Sequence, residues 1–439
     1  MGMNENNLNK IKKIKIKLKH SQKIKKFGQK LYLCCSNFQN NTLWESASSC
    51  SFGFIFSFIP LVLIILTILT GIFRISPGII NYTLKFADTI QSIVNITPFI
   101  QTILNMKTFH VIDIVLAFWI IWMARKLFIS IMQAMTKIFR SVSKRKNILN
   151  QLFVFLLEFL IVVIIAAVII FSFVMNQLVT SNSFDQIREF FPKIVNENSH
   201  HIVTLIMYFV IFICTIFVYR IMAGTKPPVL LCIFYAALSV LAFFLISLLI
   251  NKFTNFTKYN VVYGTISSFV ILMMRVYFFF IFFLFFAQMI YVSQFFDTLL
   301  LSEIYLLPTI ETKGLMPSFR RMMFVNPAAL KTTENSKFYK AGDLIFSKGN
   351  SAEQIYYIRK GKIMEETEST PVYHESGEFV GEAQCILNQP RIGNCLAVQD
   401  SKLLVFSKDE FMDLMQKSPK AASKAISKIS EETATIYNV

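Results

Sequence analysis

The chain has 439 residues, of which 54% are hydrophobic and only 16% are charged. Soluble domains usually carry about 25% charged residues, so this composition excludes an ordinary soluble protein. The net charge of +18 admits two classes of partner, nucleic acid and an anionic membrane surface. Charged residues are concentrated towards the two ends of the chain, which predicts membrane spans between two aqueous regions.

The first element is a basic tail, predicted over residues 1–42, with ten lysines between Lys10 and Lys30. Lysines beside a membrane contribute roughly 1 kcal/mol each to attraction by the anionic inner leaflet. We therefore favour a membrane surface over nucleic acid, with a solvated tail that has no partner as the other alternative. The seven cysteines show neither metal-ligand spacing nor a disulfide framework, so we predict no metal site and a reducing compartment.

Six apolar runs follow the tail, and each is long enough to span a bilayer, which needs about 20 residues. They cover residues 51–73, 111–135, 149–175, 203–222, 229–250 and 264–292. The weaker segment 82–105 is interpreted as an interfacial helix. Lys and Arg are enriched in alternate connections, which places both chain ends in the cytoplasm. The prediction is an all-α membrane domain of about six transmembrane helices over residues 43–295.

Polar residues within these spans are candidates for lining a membrane cavity, because charge in a bilayer is costly and commonly functional. Arg275 falls near the middle of the last span and leaves two interpretations open. In the first, it meets an anionic group in a cavity. In the second it has a structural role, and either extends to the membrane interface or forms an ion pair with Glu158 or Asp113. Gln288 is a third candidate, and an interhelical hydrogen bond is the favoured interpretation for it.

Four stretches within the predicted membrane domain resemble the motifs of a known family. They are FSFIPLVL around Pro60, MARKLFISIMQAMTKIFR after Trp122, YRIMAGTKPP at 219–228 and NKFTNFTKYNVVYG at 251–264. In this order they resemble the YihY/virulence factor BrkB family, over about residues 40–295. The resemblance implies a bacterial inner-membrane protein with a transporter-like role. The family commonly has an aromatic residue at the position of Arg275.

An enzyme is not predicted. The five histidines are scattered, and the spans contain no cluster of Asp and Glu for acid–base or metal chemistry. We accordingly predict no catalytic residue and no cofactor other than a regulatory ligand.

The polar C-terminal region follows a predicted linker over residues 296–335. Its apolar runs at 344–346, 355–358 and 403–406 have the length of strands and are separated by glycine turns. This pattern predicts a soluble β-roll or jelly-roll domain over residues 336–439. Residues 408–435 are predicted to be helical, with an apolar face formed by Phe411, Leu414 and Met415.

Within this region, the segment GEFVGEAQCILNQPRIGN (377–394) places Glu382 nine positions before Arg391. An arginine side chain offers a planar fork of donors that suits a phosphate group. Together with YKAGDLIFSKGN and YYIRKGKI, the segment resembles the cyclic-nucleotide-binding domain. The resemblance implies that Arg391 meets the cyclic phosphate while Gly381 and Glu382 take the ribose 2′-hydroxyl. It further implies that the backbone of Cys385 or Ile392 assists at the phosphate.

The expected ligand is cAMP, ahead of cGMP and cyclic dinucleotides. The alternative is a domain that kept the fold and lost the ligand, because four residues differ from the family pattern: Val380, Gln384, Gly393 and Asn394. Gln384 enlarges a position where a small residue lets phosphate approach.

Three functions are compatible with these elements. The favoured one is a transporter-like inner-membrane protein regulated by a cyclic nucleotide in the cytoplasm. The second is a cyclic-nucleotide-gated ion channel, although residues 251–263 contain no TVGYG-like filter sequence. The third is a non-transporting envelope scaffold with a degenerate nucleotide domain. Membrane lipids and a cyclic nucleotide are the expected partners, nucleic acid is not, and assembly into a homo-oligomer is left open.

Overall fold

In the computed structural model, two compact units divide the chain: Ser36–Tyr291, and a unit that combines Met1–Cys35 with Val292–Val439. The structure describes residues 24–56, 126–127, 129–140, 194–253, 261–307, 320, 323–324, 336–366 and 371–437. The predicted span 149–175, the predicted interfacial helix 82–105 and Glu158 lie outside the described residues. So do most of the predicted spans 51–73 and 111–135.

The described part of the N-terminal region is helical. We number its helices α1 (24–40), α2 (43–56), α3 (126–139, with 128 not described), α4 (Ile194–Ile221), α5 (Val229–Phe253) and α6 (Val261–Gln294). Among the described residues, two segments are long and apolar enough to cross a membrane, Val229–Ile250 and Val270–Gln294, and a shorter apolar one covers Tyr208–Ile221. These three segments coincide with the last three predicted spans, and the count of six stays a prediction.

The stretch YRIMAGTKPP forms the turn between α4 and α5. Tyr219, at the end of α4, is fully buried, and its hydroxyl donates to the carbonyl of Phe283 in α6 at 2.7 Å. The two rings are stacked with centroids 5.1 Å apart. Arg220 closes the turn by donating to the carbonyl of Pro227. The motif therefore ties three apolar helices together through one aromatic residue and one turn-closing arginine.

Gln288 is fully buried in α6, and its Oε1 accepts from Asn41 Nδ2 at 3.3 Å. Asn41 lies in the turn between α1 and α2. This hydrogen bond joins α6 to a turn, and the interhelical role that the sequence favoured for Gln288 stays a prediction. Arg275 is partly buried in the same helix.

The C-terminal region is an antiparallel β domain built from two four-stranded sheets, in the orders β1-β8-β3-β6 and β2-β7-β4-β5. The strands are β1 (Ser336–Tyr339), β2 (Leu344–Phe346), β3 (Gln354–Lys360), β4 (Lys362–Glu366), β5 (Pro371–Glu375), β6 (Phe379–Val380), β7 (Asn394–Ala397) and β8 (Ser401–Ser407). In the first sheet, Tyr356 of β3 lies opposite Val380 of β6 on one side and Val405 of β8 on the other.

The two sheets share a hydrophobic core, to which the central strands contribute every second residue, as Tyr356 and Ile358 of β3 show. Eight buried residues from both sheets form this core cluster: Phe346, Tyr356, Ile358, Ile363, Val380, Cys395, Leu403 and Val405. The predicted strands at 344–346, 355–358 and 403–406 correspond to β2, β3 and β8, so that part of the prediction is confirmed.

Three helices lie between or after these strands: α8 (Glu382–Leu387), α9 (Lys408–Lys417) and α10 (Pro419–Tyr437). A capping box at Ser407 and Glu410 starts α9, and Phe411 and Leu414 form its buried face. The single helix predicted over 408–435 is broken at Ser418, which is extended with φ −135° and ψ 97°. The cause is Pro419, because a proline disfavours the helical conformation of the residue before it.

Residues assigned to a linker form a further helix, α7 (Phe296–Leu306), with eight buried residues. Tyr305 packs edge-on against Phe379 and Phe411, with ring centroids 5.1 Å and 5.3 Å away. Ser302 donates to Ser418 at 2.6 Å, and Lys424 of α10 donates to the Tyr305 carbonyl at 2.6 Å. The predicted linker therefore begins with a helix that belongs to the core of the β domain.

Part of the predicted basic tail is folded as well. Within α1, Gln29 and Leu33 are buried, and Gln29 Nε2 donates to the Met323 carbonyl at 3.0 Å. Lys30 Nζ lies 5.3 Å from the ring centroid of Phe296, and burial lowers the pKa of this ammonium from its ordinary value. From residue 24 onwards, the segment is a packed helix rather than a free tail.

Candidate functional site

The candidate site is the segment that links β6 to β7 through α8. Gly381 stands between β6 and α8 with φ +79°, in the left-handed region that favours glycine. A Cβ atom on this residue would lie 2.1 Å from Arg391 Nη1. The position therefore requires glycine both for its backbone conformation and for the close approach of the arginine.

Arg391 is buried, with 3% of its surface exposed. Its Nη1 donates to the Gly381 carbonyl at 2.8 Å, and its Nη2 donates to the Gln354 carbonyl. The guanidinium carbon lies 4.3 Å from the ring centroid of Phe346. Burial lowers the pKa of Arg391, and the neighbouring Tyr356 acts in the opposite direction. The arginine thus joins the candidate segment to β2 and β3.

The main chain of Arg391 is also hydrogen-bonded to neighbouring residues. Its N–H donates to the Asn350 carbonyl at 2.9 Å, and its carbonyl accepts from the Gly349 N–H at 2.8 Å. Asn394, which departs from the family pattern, accepts from the Lys348 N–H at 2.9 Å through Oδ1. The turn at 348–350 therefore positions both residues, and Asn394 has a structural role.

Glu382, the first residue of α8, is also buried, with 2% exposed. Its Oε1 accepts from Lys428 Nζ of α10, and the two side chains form an ion pair. Lys428 also donates to the carbonyl of Phe379 at 3.4 Å. A buried carboxylate needs such a counter-charge, because its transfer from water is otherwise strongly unfavourable.

Two buried polar atoms of the segment have no hydrogen-bond partner among the described residues: Glu382 Oε2 and Arg391 Nε. Most buried polar atoms in proteins are hydrogen-bonded, and an exception needs an explanation. One atom is an acceptor and the other is a donor. This is the pairing that a ligand with both a hydroxyl and an anionic group would satisfy.

The other predicted site residues lie in the same segment. Cys385 is fully buried in α8, and burial raises the pKa of its thiol while Arg391 opposes the shift. Ile392 follows Arg391 and is partly buried, and Gln384 is buried with 6% exposed. The structure brings Gly381 and Arg391 into direct contact. Arg275 and Gln288 belong to the other compact unit, and Glu158 is outside the described residues.

Sequence reasoning missed three partners of the segment: Lys428, Gln354 and Phe346. Lys428 is separated from Glu382 by 46 positions, and Gln354 from Arg391 by 37. No local motif links residues that far apart. The only available signal was the four-residue spacing of Lys424 and Lys428, which places both on one face of a helix.

Comparison with known families fits this geometry. A model of the cyclic nucleotide-binding domain matches residues 336–418, so the β domain is of that class. A model described as virulence factor BrkB matches residues 34–296, which is more than half of the chain. The chain belongs to the virulence factor BrkB family. No curated protein sequence matches it significantly.

Solved structures with similarity to the chain include the following three. One comes from work titled as a cyclic-GMP-dependent signalling pathway that regulates bacterial phytopathogenesis (20% identity, 23% of this chain, 84% of that chain, TM-score 0.21). The second is the catabolite activator protein of Thermus thermophilus (20% identity, 23% of this chain, 50% of that chain, TM-score 0.21). The third is an EAL enzyme bound to cAMP and cyclic-di-GMP (24% identity, 19% of this chain, 24% of that chain, TM-score 0.18).

Proposed function

We propose that the protein is a transporter-like membrane protein regulated by a cyclic nucleotide, with cAMP as the first candidate. The observation that supports this most directly is the pair of buried, unpartnered atoms on Glu382 and Arg391, within the described residues. A cyclic nucleotide offers a 2′-hydroxyl to the first atom and a phosphate anion to the second. The proposal assigns a regulatory binding role to the domain and no catalytic role.

In the proposed binding mode, Arg391 is the residue that binds the phosphate group. Both of its terminal nitrogens already donate to main-chain carbonyls, so a phosphate engages Nε or replaces one of those carbonyls. A charge-assisted hydrogen bond to phosphate is stronger than a bond to a neutral carbonyl, which favours the exchange. Glu382 favours ribose over deoxyribose because its carboxylate accepts from the 2′-hydroxyl.

The membrane part of the proposal retains six spans in the bacterial cytoplasmic membrane, with both chain ends in the cytoplasm. Its support is the alternation of basic and non-basic connections, together with the apolar segments at Val229–Ile250 and Val270–Gln294. A cytoplasmic C-terminus places the nucleotide domain in the compartment where such ligands are made. Membrane lipids are the expected surroundings of the helices.

Calorimetric titration of the purified full-length protein in detergent tests the nucleotide part. We expect cAMP to bind at one site per chain, and we expect Glu382→Gln to weaken binding about tenfold or more, because a bond to a charged acceptor is lost. Arg359→Ala is the matched control, since Arg359 is exposed on β3 and should leave binding unchanged. Absence of binding heat with cAMP, cGMP and cyclic dinucleotides would contradict the proposal.

The transport part requires a flux measurement. Arg275 and the phenylalanine-rich sequence of α6 suggest an amphipathic anion as substrate, so a fluorescent anionic lipid in proteoliposomes is a suitable probe. We expect cAMP to change the rate of its movement between leaflets, and Arg275→Leu to reduce that rate at least severalfold, because a charge in a span is commonly functional. Equal rates in protein-free vesicles and proteoliposomes would instead favour the scaffold alternative.

A further inference from the structure

The ion pair between α8 and α10 has a geometry that the family resemblance does not describe. Lys428 engages only Oε1 of Glu382, while Oε2 is buried and has no partner among the described residues. One oxygen of the carboxylate is thus bound by the C-terminal helix, and the other can accept a hydrogen bond from a further donor.

We propose that Lys428 is a positioning residue for recognition of the ribose 2′-hydroxyl, a proposal that rests on the proposed function. Lys428 fixes the carboxylate of Glu382 by its bond to Oε1, so that Oε2 accepts the hydroxyl hydrogen. It also supplies the positive charge that a carboxylate with 2% exposure requires. The ligand class is a cyclic nucleotide with a free 2′-hydroxyl.

A second contact strengthens the case. Lys428 Nζ lies 3.4 Å from the carbonyl of Phe379, which belongs to the strand just before Gly381. The acceptors of the ammonium group thus include one on each side of the glycine turn, Phe379 before it and Glu382 after it. Two acceptors define the position of a flexible lysine head group better than one exposed ion pair does.

The same arrangement links the ligand to the helix α10. Since Glu382 recognises ribose best when Lys428 is docked, binding of the nucleotide and docking of α10 must favour each other. One turn earlier on α10, Lys424 donates to the carbonyl of Tyr305 in α7. In the chain, α7 follows directly on α6, the helix that contains the apolar segment Val270–Gln294.

The test uses the full-length protein in detergent and measures Kd for cAMP and for 2′-deoxy-cAMP, which lacks only the hydroxyl. We expect the unaltered protein to prefer cAMP by about ten- to a hundredfold, the value of a hydrogen bond to a charged group. Lys428→Met should reduce this preference to within about threefold, and Lys428→Arg should retain most of it. Lys420→Met is the matched control, because Lys420 is exposed on α10, and it should retain the full preference.

The double variant Lys428→Met/Glu382→Gln guards against a loss of folding, because it removes the buried charge together with its partner. Its preference for cAMP should equal that of Glu382→Gln alone. An unchanged preference in Lys428→Met, or tighter binding of cAMP by that variant, overturns the inference and leaves the proposed function intact. If the unaltered protein binds neither nucleotide, the proposed function fails and the inference fails with it.

Discussion

Arg391→Met is expected to lower the free energy of unfolding of the β domain by about 2–5 kcal/mol, and to abolish binding of cyclic nucleotides. The substitution leaves the carbonyls of Gly381 and Gln354 without the donors that they now have. Each buried polar group left unsatisfied costs about 1–3 kcal/mol. Methionine can still fill the space beside Phe346, so the effect measures lost hydrogen bonds rather than a cavity.

Hydrogen exchange of the full-length protein, measured by mass spectrometry without nucleotide, is the appropriate readout. Protection should fall in β3, which contains Gln354, and around Gly381, because these are the two places where the arginine donates to the main chain. Arg359→Met is the control, because that arginine is exposed and belongs to the same strand as Gln354. Arg391→Lys should recover part of the protection, since one ammonium cannot reproduce the planar fork. Equal protection in Arg391→Met and Arg359→Met would show that the structural role is wrong.

The structural role of Arg391 affects how binding data for its variants are interpreted. A substitution of Arg391 removes a structural group as well as a ligand contact, so loss of binding in that variant alone proves little. Glu382→Gln and the comparison of ribose with deoxyribose separate recognition from stability more cleanly.

Gly381→Ala is expected to destabilise the β domain by about 1–3 kcal/mol more than Gly349→Ala, because of overpacking against the arginine. Both glycines have similar positive φ values, +79° and +83°, so the two substitutions share the cost of a left-handed alanine, about 1–2 kcal/mol. They differ in their surroundings. The new Cβ would lie 2.1 Å from Arg391 Nη1 at position 381, whereas position 349 has nothing within 4 Å.

Chemical denaturation monitored by hydrogen exchange measures both glycine variants in the full chain. The arginine cannot move aside freely, because it donates to two carbonyls and lies over the Phe346 ring. In an Arg391→Met background, the excess cost of Gly381→Ala should therefore largely disappear. If the excess persisted there, contact with the arginine would not be its cause.

The sequence was informative where local patterns decide the structure. Strands β2, β3 and β8 follow from short apolar runs between glycine turns. The spacing of Glu382 and Arg391 predicts the candidate segment, and its binding role stays a prediction. Both residues are indeed buried and lie at the two ends of that segment. Asn394 departs from the family pattern, and its side chain accepts a hydrogen bond that stabilises the turn at Lys348.

The rest depended on tertiary contacts. Residues 296–306 look like a linker because their apolar positions have no visible partner in the sequence, and their partners, Phe379 and Phe411, come about 75 and 105 positions later. Lys428 resembles any other lysine on an exposed helix until the fold brings it to Glu382. The helix break at Ser418, in contrast, could have been predicted from the sequence, because a proline such as Pro419 generally disfavours a helical conformation of the residue before it.

The contribution of α7 to the β domain also determines where the protein can be divided. A fragment that begins at residue 320 or 336 lacks Tyr305, and it exposes to water the rings of Phe379 and Phe411 that Tyr305 covers. Such a fragment would tend to aggregate or to lose the strand that precedes the glycine turn. A fragment that keeps the cover over these rings therefore begins at about residue 295, so that it includes the whole of α7.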